Sequence, residues 1–189
     1  MKRESRLKYL GQRGVAALEL ALIVPIMLVL AFAIIDFGRF IQARLVVANL
    51  SREGGSLASR DIDTATGIIT MLQSGGSPLN MANDGRIYIW KIRAGTGPNS
   101  PDPYIDQTAS AQAGALSVAS TIGIGQANLG LTPQLYNHLE YDNAQKAADI
   151  SDVTVVEVFF NYTPLTPLMN FVPNLFPAGG TIMASKAVF

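Results

Sequence analysis

Glu19 is the residue of this chain whose chemistry most demands an account. It lies about one helical turn inside the run Val15 to Ile35, which only Glu19 and Pro25 interrupt. An ionised carboxylate at membrane depth costs a few kcal/mol. Gly14 closes the segment ahead of that run and Val15 opens it. Elsewhere the chain is poor in reactive residues. His138 is the single histidine and there is no cysteine, so the usual parts of a thiolate or paired-imidazole metal site, or of a Ser-His-Asp relay, are missing. His138 reads as a surface residue. Asp61-x-Asp63 and Asp102-x3-Asp106 lack the ligand density of a calcium loop and read as solvated loop acids. Gly123-Ile124-Gly125-Gln126 lacks the longer glycine pattern and the lysine of a phosphate loop. We expect no catalytic residue, no cofactor site and no metal site; the chain reads as a non-enzyme.

The element that must position Glu19 is a membrane helix. Val15 to Ile35 spans 21 residues, about what a helix needs to cross roughly 30 Å of hydrocarbon. Lys2, Arg3, Arg6, Lys8 and Arg13 precede it against the single acid Glu4, and this bias places the N-terminus in the cytoplasm and everything after Ile35 outside. A cleaved secretory signal also pairs a basic region with an apolar one. Here the apolar region is long for that purpose, and Ile35-Asp36-Phe37-Gly38-Arg39-Phe40 offers no small-x-small cleavage site. A plain signal anchor fits the hydropathy but gives no role to Glu19.

A short basic leader ending in Gly, then Glu at the fifth position beyond it at the start of an apolar helix, resembles the type IV prepilin pattern. Within that superfamily, Arg13-Gly14-Val15-Ala16-Ala17-Leu18-Glu19-Leu20-Ala21-Leu22-Ile23-Val24-Pro25 resembles the TadE-like proteins of tight-adherence, Flp-type pilus systems. The specific part of the resemblance covers about residues 11 to 60. It implies a minor pilin or pseudopilin of the inner (cytoplasmic) membrane, pilus or cell surface, cut between Gly14 and Val15 by a prepilin peptidase. Its implied partners are other pilins, the pilus assembly machinery and membrane lipid. Glu19 would align subunits at extraction and assembly.

Physical reasons for the motif stand beside the resemblance. A peptidase working at a membrane face needs an unwound scissile segment, and glycine has no Cβ to resist one. Cleavage would free the amine of Val15. Glu19 is four residues along the helix from that amine, poorly placed for it in the same chain but well placed for a neighbour's, which would neutralise a buried charge. The competing reading is that Glu19 snorkels to the headgroups from an uncleaved anchor. Pro25 removes a backbone donor and predicts a kink or a loosened turn.

Helical periodicity continues beyond the membrane. Phe37, Ile41, Leu45 and Ala48 recur at spacings of four, four and three, with Val46, Val47 and Leu50 beside them, predicting a packed face. No strong breaker appears before Gly54-Gly55, and the helix is expected to run from about Val15 to Ser59, roughly 65 Å. We therefore divide the chain into a basic leader (1–14), a transmembrane and stalk helix (15–60) and an extracytoplasmic head (61–189). The head is long enough for one small domain. Without the leader, nine bases and thirteen acids leave a net side-chain charge of −4, which argues against a nucleic-acid partner.

Within the head, Asp63 to Leu72 predicts a short helix capped by Asp61 or Asp63. Arg86 to Arg93 predicts a strand with one apolar face, and Gly95 to Pro103 a loop. Between Ala109 and Asn128 neither helix nor strand is clear. Thr132 to Leu139 predicts a helix with Thr132 as cap and Pro133 at its first position. Asp152 to Tyr162 reads as a central, two-faced strand, and Thr181 to Phe189 as a terminal strand antiparallel to it. The expected fold class is α+β: a long N-terminal helix, half transmembrane and half amphipathic stalk, with a small antiparallel β-sheet head. Between the last two strands, Leu168 to Phe176 is apolar and uncharged. It either covers the sheet edge or contacts a partner through Phe171 and Phe176. At the level of function, a processed pilus subunit contrasts with an unprocessed single-pass protein whose extracytoplasmic domain binds a ligand or partner.

Overall fold

A computed structural model describes the backbone of residues 3–166 and 180–189, and the side chains of 14–166 and 180–189. The described residues fall into two compact units. One holds residues 3–41 with 163–166 and 180; the other holds Gln42–Tyr162 with Thr181–Phe189.

Helix α1 runs Arg3–Ser59 with Pro25 inside it. It ends where the sequence predicts but starts earlier, taking in most of the basic leader. The glycines at 11, 14, 38, 54 and 55 each cost about 1 kcal/mol relative to alanine, which is insufficient to break a helix this long. In the first unit α1 supplies the apolar run. In the second, its residues 42–59 are part of the core.

That core is built around one antiparallel sheet. Its strands are β1 (Gly85–Arg93), β2 (Tyr104–Ile105), β3 (Ala111–Ala113), β4 (Asp152–Tyr162) and β5 (Thr181–Val188). They are ordered β2-β1-β4-β5, with β3 also on β1. β4 has the bounds and the central, two-faced position its Val and Phe content predicts, and β5 lies antiparallel to it. β1 departs from expectation in burying both faces. Ile87 and Ile89 stand opposite Val158 and Val156, while Tyr88, Trp90 and Ile92 stand opposite Glu157, Val155 and Val153.

Helices cover the first of these faces. Helix α2 (Ala65–Gly75) buries Ile68, Ile69 and Leu72. Its cap is Thr64, whose hydroxyl accepts from Gly67 N, and not Asp61 or Asp63. Asp61 has a left-handed backbone (φ 49°) and accepts from Lys91 instead, and Asp63 accepts from Thr64 N. The second face carries a cluster of Ile92, Ile105, Ile122, Leu131, Leu139, Val153 and Val155. Helix α3 (Pro133–Leu139) joins it, with Thr132 as cap and Pro133 in its first turn, as the sequence predicts.

The predicted face divides: Val47 and Leu50 are buried and Val46 and Ala48 partly buried, whereas among the described residues nothing covers Phe37, Ile41 and Leu45. These side chains are 57, 44 and 59% exposed. The buried positions of α1 in the second unit are Ala43, Val47, Leu50, Ser51, Gly54, Gly55 and Ala58, most of them small. Ser51 Oγ lies 2.7 Å from Ser185 Oγ on β5. A Cβ on Gly54 would sit 2.6 Å from Leu72 Cδ1 and 3.2 Å from Val156 Cγ1, and one on Gly55 would overlap the Phe189 ring. The helix runs through Gly54 and Gly55 as the sequence predicts, and the contacts around them leave no room for a side chain.

Candidate functional site: an acid on an apolar helix

Gly14, Val15 and Glu19 all lie on α1 in the first unit, and every side chain from 14 to 32 is exposed. The segment is lined by Val15, Leu18, Leu20, Leu22, Ile23, Ile26 and Met27, each more than half exposed. An apolar surface of this kind is stable only when lipid or protein covers it. Glu19 has no hydrogen bond or ion pair among the described residues. Gly14 is helical, and a Cβ there would meet nothing within 4 Å, so packing among the described residues does not require glycine at this position. Phe171 and Phe176 lie outside the described residues.

A second acid of α1, Asp36, was not singled out by the sequence reading and behaves in the opposite way. It is fully buried, at 0% exposure. Its carboxylate accepts from Leu165 N at 3.2 Å, from Thr166 N at 3.3 Å and from the Thr166 hydroxyl. One sequence signal was available: Asp36 directly follows the last residue of the apolar run. Its partner segment, 129 positions away, gives no local signal.

The other reactive residues of the second unit are engaged structurally. His138 Nδ1 lies 2.7 Å from Asp149 Oδ2 with both side chains about half exposed. Asp106 accepts from Thr108, Ala109 and Arg93 Nε, and the Thr108 hydroxyl followed by the guanidinium holds its carboxyl far below the usual range. Lys91 bridges Asp61 and Asp152 at 3.1 and 2.8 Å. The buried Glu157 accepts from the hydroxyls of Ser120 and Thr121 and from Thr121 N, tying the segment after β3 onto β4. Among the described residues no group of three or more His, Asp or Glu is arranged to hold a metal.

These features define the class: an α+β unit carried on one N-terminal helix that is long and apolar enough to cross a bilayer. Residues 14–56 match the family model described as TadE-like protein. The match begins at Gly14 and ends two residues past Gly54. No curated protein and no solved structure matches the chain.

Proposed function

We propose that the protein is a TadE-like minor pilin, or pseudopilin, that takes part in assembling a tight-adherence pilus. In this reading residues 1–14 are a leader, 15–60 the transmembrane and stalk helix and 61–189 the extracytoplasmic head. A prepilin peptidase at the cytoplasmic membrane removes the leader, leaving Val15 as the N-terminus. The observation that carries the reading is Glu19, an acid without a partner among the described residues on an otherwise apolar, exposed helix. It stands five residues past a glycine that packing in the described structure does not require. The amine freed at Val15 of a neighbouring subunit supplies the charge Glu19 lacks. Glycine at 14 also lowers the cost of unwinding the helix at the cut by about 1 kcal/mol relative to alanine.

Two apolar stretches of the sequence then serve assembly. The exposed stripe Phe37-Ile41-Leu45 extends the surface of the apolar run along α1 and is covered by helices of other subunits. The apolar sequence Leu168 to Phe176, with Phe171 and Phe176 as its bulkiest members, contacts a partner subunit.

The test is N-terminal sequencing of the protein extracted from membranes of cells with an active prepilin peptidase. The expected N-terminus is Val15, and Gly14→Val should leave the chain uncut. A native chain that still begins at Met1 in those cells would show an unprocessed anchor instead.

A further inference from the structure

We propose that Asp36 is a positioning residue: its clasp on Leu165 and Thr166 sets one edge of the membrane span and thereby holds Glu19 inside the hydrocarbon. Residues 163–166 have no helix or strand hydrogen bonding, and Thr163 and Leu165 are exposed. Irregular backbone of this kind does not face lipid, because its N–H and C=O groups would find neither water nor partner there. The clasp, and Asp36 with it, must therefore lie at the edge of the hydrocarbon or beyond it.

Helix geometry then places the other acid. Glu19 is 17 residues from Asp36, about 26 Å along the axis at 1.5 Å per residue. The hydrocarbon is roughly 30 Å thick, so with Asp36 at one edge Glu19 sits about 4 Å inside the other. Tilting the helix takes Glu19 deeper. The uncharged stretch between the two acids, Leu20 to Ile35, is 16 residues, about 24 Å, which is short for a full span. A free helix would relieve this mismatch by sliding until Glu19 reached the headgroups. The clasp prevents the slide, since Asp36 cannot enter lipid while it holds an irregular segment. This rests on the proposed membrane span of α1, and it makes pairing with a neighbour's amine a requirement of depth.

Because the chain has no cysteine, an introduced one is the only thiol. Gly38→Cys and Leu18→Cys are suitable reporters: both positions are exposed, and a Cβ at Gly38 meets nothing within 4 Å. Each full-length variant is treated with a membrane-impermeant maleimide, in intact cells and in inverted vesicles. Gly38→Cys should react in cells, while Leu18→Cys should stay protected in both preparations. Adding Asp36→Ala lengthens the uncharged run to Gly38, next to Arg39, and moves the reactive boundary by about three residues. Leu18→Cys should then react several-fold faster in inverted vesicles. Thr166→Val keeps the charge but loses one donor, and should shift the boundary the same way by less. Reactivity of Leu18→Cys in the otherwise native chain, or its indifference to Asp36→Ala, would overturn the clasp. Labelling of both reporters in intact cells would overturn the membrane span itself.

Discussion

At the residue scale, α1 carries two acids that solve the same problem differently. Asp36 accepts hydrogen bonds from Leu165 N, Thr166 N and the Thr166 hydroxyl, whereas Glu19 has no donor among the described residues. Charge-assisted hydrogen bonds are the strong ones, so removing Asp36 should harm the fold itself. On the proposed pilin reading, removing Glu19 should harm only assembly. Glu19→Ala is expected to fold and insert normally, with insertion eased by about 2–3 kcal/mol because a charge leaves the apolar run. On the proposed pilin reading it should lose most of its co-purification with pilus subunits. Pull-down from detergent extracts measures this, and unchanged recovery would favour an acid that snorkels to the headgroups.

At the element scale, α1 shows why a periodic pattern identifies a helix but not the face that packs. Phe37-Ile41-Leu45-Ala48 and Ala43-Val47-Leu50-Gly54 both recur at spacings of three and four, and the first is the bulkier. The sheet and α2 select the second, because small residues let backbones approach closely. Volume decides, not hydropathy. Gly54→Ala therefore sets two effects against each other: alanine gains about 1 kcal/mol of helix propensity, while overpacking costs about 1–3 kcal/mol. Leu72 is 2% exposed and has nowhere to move, so a net loss of about 1 kcal/mol is expected. Gly55→Ala should cost less, since the Phe189 ring it meets is at the chain terminus and 49% exposed. Denaturant midpoints of the two full-length variants in detergent would rank them.

At the scale of the whole molecule, the second unit's charges make its stability depend on pH at both ends. Burial pulls Lys91 down, but its hydrogen bonds to Asp152 and Asp61 outweigh this and raise its amine above the ordinary value. The Lys91 hydrogen bond in turn holds the Asp152 carboxyl below the usual range. A lowered carboxylate contributes stability above its unfolded value, about 3.9, and loses it as pH falls towards the folded value. A raised amine contributes below about 10.4 and loses it as pH climbs past that point. The contribution of the pair should be flat between those limits and decline outside them. Lys91→Met should lower the plateau by about 1–3 kcal/mol, because it leaves Asp152 without its cation, and should make the acid decline shallower. Unfolding midpoints measured across the acid range for both proteins test this; parallel curves would mean that the pair does not set the acid limb.

Local chemistry was enough for much of this protein. Twenty-one consecutive near-apolar residues make a membrane-length helix wherever they occur, the Val and Phe density of 152–162 makes a buried strand, and Thr132-Pro133 starts a helix by its own hydrogen bond and fixed φ. The position of Glu19 five residues past Gly14 was likewise legible, because the motif is contiguous. Only the tertiary structure decided which part of the predicted face of α1 packs, that Asp61 accepts from Lys91, that Gly54 has no room for a Cβ, and that Asp36 has partners. Each of these depends on groups distant in sequence: Leu72 and Val156 for Gly54, Lys91 for Asp61, Leu165 and Thr166 for Asp36. A pattern read along the chain registers what a residue prefers, whereas space and hydrogen-bond donors arrive from elsewhere in the fold.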